Sequence, residues 1–411
     1  MTDLLDLASF REFGTRTKVR KTKVGKESIP TFVNKFWTDK QRQAHSLHEV
    51  SYRACFKPAL PRFFIERLTK PDDLVYDPFM GRGTALLEAA LLGRRVAGCD
   101  VNPLSRMLIE PRLAPPELNS INLRLDHLAE TLKKTKIDDP PSDVTLEDLT
   151  PFYHPDTLAD IAALRKHFIV TQKKQGVLGG VDNWIRMVAM NRLTGHSPGF
   201  FSVYTLPPNQ AVMPARQRKI NADRRQKPER KDVYDLILKK SRSLLSEVTD
   251  EERDRLKKQT PILVTAPCDA AHQIPYGEVA LIVTSPPFLD VVNYASDNWL
   301  RCWFCGIDPK TVPITMAKRV PDWQAVMTDA FMEFYRVLRP GGHVAFEVGE
   351  VRGGKVRLEE AVIPCGNAAN LKPKLVLINT HNFTKTANCW GVDNNAKGTN
   401  TNRVVVFEKK A

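Results

Sequence analysis

The chain has 411 residues, of which 42% are hydrophobic, and a formal net charge of +14. Its apolar runs are far shorter than the roughly 20 residues that cross a bilayer, which excludes a membrane-spanning helix. Seven cysteines without framework spacing exclude a disulfide-stapled scaffold and suit a reducing compartment. A basic surface attracts polyanions, and nucleic acids are the most abundant polyanions inside cells.

The first 30 residues are predicted to form a basic N-terminal arm. Residues 11–26 are rich in lysine and arginine and show neither helical nor strand periodicity. Two interpretations of this flexible arm are open, because such segments either contact phosphates or are solvated tails. Residues 1–6 (MTDLLD) lack the basic-then-apolar pattern of a signal peptide, so we expect an intracellular protein.

Residues 74–100 carry the pattern of a strand-helix-strand unit. An apolar run at 74–76 predicts a buried strand, and a glycine turn at 77–84 (DPFMGRGT) directly follows it. Residues 85–92 predict a helix, and residues 95–100 predict a second strand. In open α/β sheets ligands bind at the carboxyl ends of the strands, so this turn is a candidate ligand site.

Five residues of this unit suit a small polar ligand. Gly81 and Gly83 let the backbone approach closely, while Asp77 and Thr84 offer a carboxylate and a hydroxyl. Asp100 ends the second strand and can accept hydrogen bonds from both ribose hydroxyls of a nucleoside. For Asp77, the alternative of a buried structural carboxylate is also open.

The interval from 104 to 260 interrupts the strand-helix alternation and reads as an inserted region. Residues 191–210 combine aromatic, amide and hydroxyl side chains, and residues 216–231 are rich in arginine and lysine. Such residue types read base edges and clamp phosphates. The alternative is a turn-rich surface loop beside a solvated helix.

The alternation of apolar strands resumes after residue 260. Strands are predicted at 262–269, 279–283, 342–348, 374–379 and 403–408, with a long hairpin connection from 380 to 402. Residues 338–342 (LRPGG) predict a helix end and turn that lead into the third of these strands.

A rigid corner, residues 284–288 (TSPPF), follows the strand at 279–283. The Ser285 hydroxyl and the Pro286 carbonyl are hydrogen-bond acceptors, and Pro286 and Pro287 fix the backbone that carries them. Phe288 can stack on a planar base. Acceptors aimed at both hydrogens of an exocyclic amine favour a pyramidal nitrogen with a localised lone pair, so the corner suits chemistry on a nucleobase amine.

The glycine turn and the Ser-Pro-Pro-Phe corner resemble the cofactor and catalytic motifs of the amino-group DNA methyltransferases. These enzymes transfer a methyl group from S-adenosylmethionine to cytosine N4 or adenine N6, and Ser-Pro-Pro-Phe is most similar to the N4-cytosine members. The resemblance covers the first quarter and the last third of the chain. It implies an α/β fold: a Rossmann-like core with a mostly parallel seven-stranded sheet, a C-terminal hairpin and an inserted target-recognition region.

The resemblance also implies roles for individual residues. The catalytic residues would be Ser285, Pro286, Pro287 and Phe288, acting on a base rotated out of the duplex. S-adenosylmethionine would be bound by Lys57 at a turn before a predicted helix, by Asp269 through the adenine amino group, and by Asp77, Phe79, Gly81, Gly83, Thr84 and Asp100. No metal site is expected. Cys268 follows Pro267 as in the C5-cytosine enzymes, but amine methylation needs no covalent nucleophile.

The sequence thus predicts four segments: the arm at 1–30, the first part of the catalytic core at 31–103, the recognition region at 104–260, and the second part of the core at 261–411. The expected partner is double-stranded DNA, a cognate restriction endonuclease is allowed, and no membrane is involved. The cofactor turn precedes the corner, unlike the order in many N4-cytosine enzymes. Adenine N6 methylation, methylation of an amine in structured RNA, and a non-catalytic nucleic-acid-binding role are the alternatives. The expected location is the cytoplasm, at the nucleoid of a prokaryote or in a virus-infected cell.

Overall fold

A nine-stranded mixed sheet forms the centre of the structure, which is a computed structural model. The structure describes residues 4–38, 44–52, 55–133, 144–206, 211–287, 294–314, 317, 319–348, 350–351, 356–380 and 401–410. The strands are β1 (Lys18–Val24), β2 (Glu27–Asn34), β3 (Leu74–Asp77), β4 (Arg95–Asp100), β5 (Ile262–Thr265), β6 (Val279–Thr284), β7 (Leu338–Val348), β8 (Glu350–Val351), β9 (Val356–Arg357), β10 (Leu371–Thr380) and β11 (Thr401–Lys409).

The order of strands in the main sheet is β1-β2-β10-β11-β7-β6-β3-β4-β5, while β8 and β9 pair with each other separately. Five of the eight pairings are parallel: β2 with β10, and the run from β7 through β6, β3 and β4 to β5. The β10–β11 hairpin inserts β11 antiparallel to β7. The carboxyl ends of β3, β4, β5, β6 and β7 therefore meet at one edge of the sheet.

Helices cover both faces of this sheet. They are α1 (Ala59–Leu68), α2 (Thr84–Leu91), α3 (Pro103–Leu113), α4 (Leu118–Leu132), α5 (Leu146–Leu149), α6 (Pro155–Gln175), α7 (Gly180–Arg192), α8 (Pro214–Arg224), α9 (Val233–Leu244), α10 (Asp250–Lys257), α11 (Tyr294–Cys305), α12 (Val320–Val337) and α13 (Leu358–Ala368). Alternate residues of β3 face opposite sides: Val75 packs in the core with α1 and α2, whereas Leu74 and Tyr76 pack with α12. No helix in the described part of the chain is long and apolar enough to cross a bilayer.

The prediction of seven strands is wrong by two, because the chain before residue 35 forms a hairpin. The expected flexible arm at 11–26 contains β1 instead, paired along its whole length with β2. β1 gave no strand signal because it is an edge strand exposed on most of its length, while β2 buries Ile29, Thr31 and Phe32. The predicted turn at 338–342 is also part of a strand, the irregular start of β7 with Gly341 at a φ of 72°.

The described residues of the interval between β4 and β5 form helices joined by loops, with no strand among them. It runs from α3 to α10, and local signals explain where these helices begin: α10, for example, starts with a capping box in which Thr249 and Glu252 satisfy each other's backbone N–H groups. The inserted helices pack on the rest of the molecule through α11, where Arg165 donates a 2.7 Å hydrogen bond to the carbonyl of Trp303.

Candidate active site

A cavity of about 410 Å³ lies at the carboxyl ends of β3, β4, β5 and β6. Its wall is mainly apolar with a few convergent polar groups, as is usual for a small-molecule site. The lining residues are Tyr52, Pro78, Phe79, Gly81, Asp100, Val101, Asn102, Ala266, Pro267, Cys268, Asp269, Ser285, Pro287, Pro313, Ile314, Ala317, Trp323, Val326, Met327 and Asp329. Residues from the glycine turn and from the Ser-Pro-Pro corner thus face one space.

A buried hydrogen bond joins the two motifs beneath this cavity. Thr284 Oγ1, at the end of β6, donates to Asp77 Oδ1 at the end of β3, with 2.6 Å between the oxygens. The same carboxylate accepts from the backbone N–H of Phe79 at 3.1 Å. Asp77 is only 1% exposed, and this burial raises the pKa of its carboxyl to about 7. Asp77 is therefore a structural link under the turn.

Asp100 organises the turn from the neighbouring strand. Its carboxylate accepts the backbone N–H of Gly81 at 2.9 Å and that of Asn102 at 2.8 Å. Burial raises the pKa of this carboxyl as well, although it remains at the cavity wall. Gly81 adopts a φ of 48°, which glycine tolerates best, and so can present its N–H to Asp100. The carboxylate is oriented by two fixed donors before any ligand binds.

Gly83 and Thr84 serve the packing of the turn. A Cβ on Gly83 would lie 2.6 Å from Ile109 Cγ1, so glycine is needed for the close approach of α3. Thr84 is buried and its hydroxyl accepts from Arg82 Nε at 3.0 Å. The same Arg82 guanidinium donates to the carbonyl of Val50 at 2.9 Å. Arg82 therefore ties the turn to the segment that carries Tyr52 to the cavity wall.

The Ser-Pro-Pro corner is held by two other elements. The Ser285 hydroxyl donates to Glu347 Oε2 on β7 at 2.5 Å, and Asn402 Nδ2 on β11 donates to Glu347 Oε1 at 3.0 Å. Glu347 is 6% exposed. On the other side, Trp323 Nε1 on α12 donates to the carbonyl of Pro287 at 3.0 Å. With its proton directed to Glu347, Ser285 Oγ keeps lone pairs for an incoming donor.

The structure brings together part of the predicted set. Phe79, Gly81, Asp100, Asp269, Ser285 and Pro287 line the cavity. Among the other described candidates, Asp77, Gly83, Thr84 and Pro286 lie behind its wall or in the adjoining backbone, and Lys57 lies in the turn before α1, outside the lining set. Phe288 falls outside the described residues.

Several residues of the site carried no motif signal. Glu347 is an acid within the apolar run Val344–Val348 of the strand predicted at 342–348, which is the one pattern that could have marked it. The cavity wall also contains Tyr52, Asn102 and Trp323, which no sequence motif marks as site residues. Each belongs to a segment whose sequence indicates only a helix, a loop or a turn.

Cys268 in the cavity wall and the two cysteines of α11 are thiols with little tendency to ionise. Cys268 lines the cavity, and burial raises the pKa of its thiol to about 12. Cys302 and Cys305 are buried in α11, where burial raises the pKa of Cys302 to about 12 and that of Cys305 to about 11. Within the described ranges, no group of three or more histidine, cysteine, aspartate or glutamate side chains is arranged to hold a metal ion.

Comparison with known proteins points to one enzyme class over part of the chain. Residues 12–107 match the family model N6_N4_Mtase, described as DNA methylase. The chain is 34% identical over 103 residues to the type II methyltransferase M.MvaI of Kocuria varians, covering 24% of this chain and 22% of that protein. It is 28% identical over 99 residues to the type II methyltransferase M.MjaII of Methanocaldococcus jannaschii, covering 24% and 18%.

The chain thus spans about a fifth of the length of the curated relatives it matches. Over the matched residues, the family model and these relatives support an amino-group DNA methyltransferase. Among solved structures, a SAM-dependent methyltransferase from Methanosarcina mazei is 10% identical and aligns over 84% of this chain and 97% of its own, with a TM-score of 0.32.

Proposed function

We propose that the chain is an S-adenosylmethionine-dependent DNA methyltransferase that acts on the N4 amine of cytosine. The observation that carries this proposal is the shared cavity of the glycine turn and the Ser-Pro-Pro corner, which the Asp77–Thr284 hydrogen bond holds in fixed relation. A methyl donor on one side and an amine acceptor on the other would then meet without any large movement of the chain.

The cofactor is S-adenosylmethionine, and the cavity residues fit its parts. The Asp100 carboxylate, oriented by Gly81 and Asn102, is available to both ribose hydroxyls. Asp269, exposed after β5 at the rim, is available to the adenine amino group. A volume of about 410 Å³ lies within the usual range of roughly 300–1,000 Å³ for such pockets.

The catalytic side is the corner at residues 284–288. Ser285 Oγ and the Pro286 carbonyl accept the hydrogens of the target amine and localise its lone pair, and Phe288 stacks on the base. The bound cofactor supplies a methyl group for direct transfer to the amine nitrogen, which then loses a proton. Glu347, 2.5 Å from Ser285 Oγ, accepts the Ser285 proton while Ser285 takes the proton of the amine.

Cytosine is preferred to adenine because a serine precedes the two prolines of the corner. Adenine N6 is the alternative, since the same acceptors suit any exocyclic amine. The region from α4 to α10 is proposed to contact the DNA around the target, and its basic run at 216–231 supplies phosphate-binding side chains. Rotation of the target nucleotide out of the duplex costs a few kcal/mol, which stacking and phosphate contacts offset.

The test is to identify the product. The purified chain is incubated with methyl-labelled S-adenosylmethionine and unmethylated plasmid DNA, and the DNA is digested to nucleosides for mass spectrometry. We expect labelled N4-methylcytosine, and we expect far less of it from the Ser285→Ala variant. Labelled N6-methyladenine alone would remove the cytosine assignment, label in RNA but not DNA would change the substrate, and cofactor binding without any product would leave a non-catalytic binding protein.

A further inference from the structure

The hairpin β1–β2 presents a line of unpaired positive charge at the edge of the sheet. Arg16, Lys18, Arg20, Lys23 and Lys26 are all exposed. The acid closest to them before β1, Glu12, pairs with Arg67 on α1 at 3.8 Å instead. In the described part of the chain, none of the five basic side chains is neutralised by an ion pair. The hairpin is thus a charged surface with no role in the cofactor cavity.

The strand register fixes where this charge lies relative to the catalytic corner. β2 runs parallel to β10 and therefore in the same direction as β6 and β7, so the start of antiparallel β1 lies at the cavity edge of the sheet. A continuous row of paired residues crosses from the corner to the hairpin: Thr284, Phe346, Val405, Val376, Thr31 and Arg20. Five strand spacings of about 4.8 Å make this row about 24 Å long.

Along the strand direction, Ser285 lies between the position of Arg20 and that of Lys18. Ser285 is one residue beyond Thr284, and Lys18 pairs with Val33 two residues nearer the cavity edge than Thr31. Residues two apart on a strand point to the same face, so Lys18 and Arg20 form one row of charge. Lys23 and Lys26 lie at the other end of the hairpin, roughly 15–20 Å farther from this edge.

The segment before β1 is held in place by Asn34, the last residue of β2. Its amide Nδ2 donates to the carbonyls of Phe10 and Thr15 at 3.1 and 3.2 Å, and to Thr17 Oγ1 at 2.9 Å. Arg16 lies between these anchor points and is exposed. Because the backbone is already ordered, little conformational entropy remains to be lost when this surface binds a ligand.

We propose that Arg16, Lys18 and Arg20 form a phosphate-binding ridge for the flank of a DNA duplex whose target base occupies the cavity. This inference rests on the proposed DNA methylation. Duplex DNA rises about 3.4 Å per base pair, so the 24 Å row corresponds to about seven base pairs from the target. The ridge positions the duplex through its backbone and carries no sequence information. It clamps the side of the duplex away from the inserted helices, next to the far edge of the sheet.

The hairpin supplies its own matched control. The ridge variant Lys18→Gln/Arg20→Gln and the turn variant Lys23→Gln/Lys26→Gln each remove two exposed charges from the same hairpin. Binding of a mixed-sequence 30-base-pair duplex is measured by fluorescence anisotropy between 50 and 300 mM salt. For the ridge variant we expect a Kd raised at least fivefold. The slope of log Kd against log salt concentration should fall by about 1.8, because each lost phosphate contact reduces it by about 0.9. The turn variant should stay within twofold of the wild type.

The outcomes separate this inference from the function on which it rests. Wild-type chain that methylates DNA, with both variants binding the duplex equally, overturns the ridge alone. A ridge variant that self-associates in sedimentation while keeping wild-type affinity also overturns it, because the charges would then protect an edge strand. Wild-type chain that neither binds nor methylates DNA removes both proposals. The maximal methylation rate of the turn variant at saturating DNA should equal that of the wild type.

Discussion

Thr284 and Asp77, 207 residues apart in sequence, are joined by a 2.6 Å hydrogen bond between the ends of two adjacent parallel strands. Thr284 opens the Ser-Pro-Pro corner and Asp77 opens the glycine turn. The bond is buried, so it is little weakened by competition from water. In the sequence, only the family resemblance connected the glycine turn with the Ser-Pro-Pro corner. In the structure, a direct hydrogen bond joins them.

The buried Asp77 carboxyl should make stability depend on pH. Its pKa is about 7 in the folded chain against 3.8 unfolded, so the folded state binds the extra proton between these values. Stability therefore falls as the pH rises from 4 to 7 and stays low above 7. Asp77→Asn removes this penalty, and because about two pH units lie between pH 5 and the folded pKa, its free energy of unfolding relative to the wild type should improve by up to about 2.7 kcal/mol from pH 5 to pH 8. Urea unfolding at both pH values measures this, and parallel profiles for the two proteins would contradict it.

Ser285→Ala should affect turnover and leave binding alone. The variant loses the hydroxyl that accepts an amine hydrogen, and we expect kcat to fall by about 100-fold or more. Its Kd values for S-adenosylhomocysteine and for duplex DNA should stay within twofold of wild type. Ser246→Ala, at an exposed hydroxyl after α9, is the control and should match the wild type. Equal loss of turnover and binding in Ser285→Ala would indicate a folding defect instead.

Glu347→Gln tests the partner of Ser285. Glutamine still accepts a hydrogen bond from the Ser285 hydroxyl but is a far weaker proton acceptor, so we expect kcat to fall about 100-fold with little change in KM for DNA. Glu347→Asp should restore part of the rate, and the wild-type dependence of kcat on pH should be lost in the glutamine variant. Wild-type kcat in Glu347→Gln would show that the carboxylate only fills space beside β11.

Asp100→Ala should weaken cofactor binding. A carboxylate bonded to two ribose hydroxyls contributes about 1.5–3 kcal/mol per charge-assisted bond, so the Kd for S-adenosylhomocysteine should rise at least tenfold. Calorimetric titration measures this, with Asp254→Ala on the exposed face of α10 as the control. An unchanged Kd, in a variant with a wild-type melting temperature, would show that Asp100 does not bind the ribose.

Cys268→Ala should retain methyl transfer within about twofold. With a pKa of about 12, only about one thiol in 10,000 is ionised at pH 8, which is too little for a nucleophile. The product assay on purified variant measures the rate. A loss of more than 100-fold would revive a covalent mechanism through this thiol.

Local sequence patterns predict the core of the fold well. The predicted strand, helix and strand between 74 and 100 agree with β3, α2 and β4 to within one residue at each end. This is because apolar runs and glycine turns act over short distances, and each predicted element follows its own periodicity. The position of the inserted helices between the second and third parallel strands is likewise visible in the interrupted alternation.

The missed features depend on long-range packing. β1 has basic residues on both faces because it lies at an edge, so no apolar alternation marks it. Glu347 is placed at the site by its hydrogen bond with Ser285, 62 residues away in sequence. Tyr52 reaches the cavity wall because Arg82 of the glycine turn binds the carbonyl of Val50, two residues before Tyr52. Asp77 and Gly83 fit the motif, but which of its residues face the ligand and which support the turn depends on the packing of α3 and β6.

A crystal structure of the chain with S-adenosylhomocysteine tests most directly whether the cofactor and the Ser-Pro-Pro corner share one cavity. We expect the ribose on the Asp100 carboxylate and the cofactor sulfur facing the Ser285–Pro287 side of that cavity. Electron density for the cofactor anywhere else, or a crystal soaked at saturating ligand with an unchanged cavity, would contradict it.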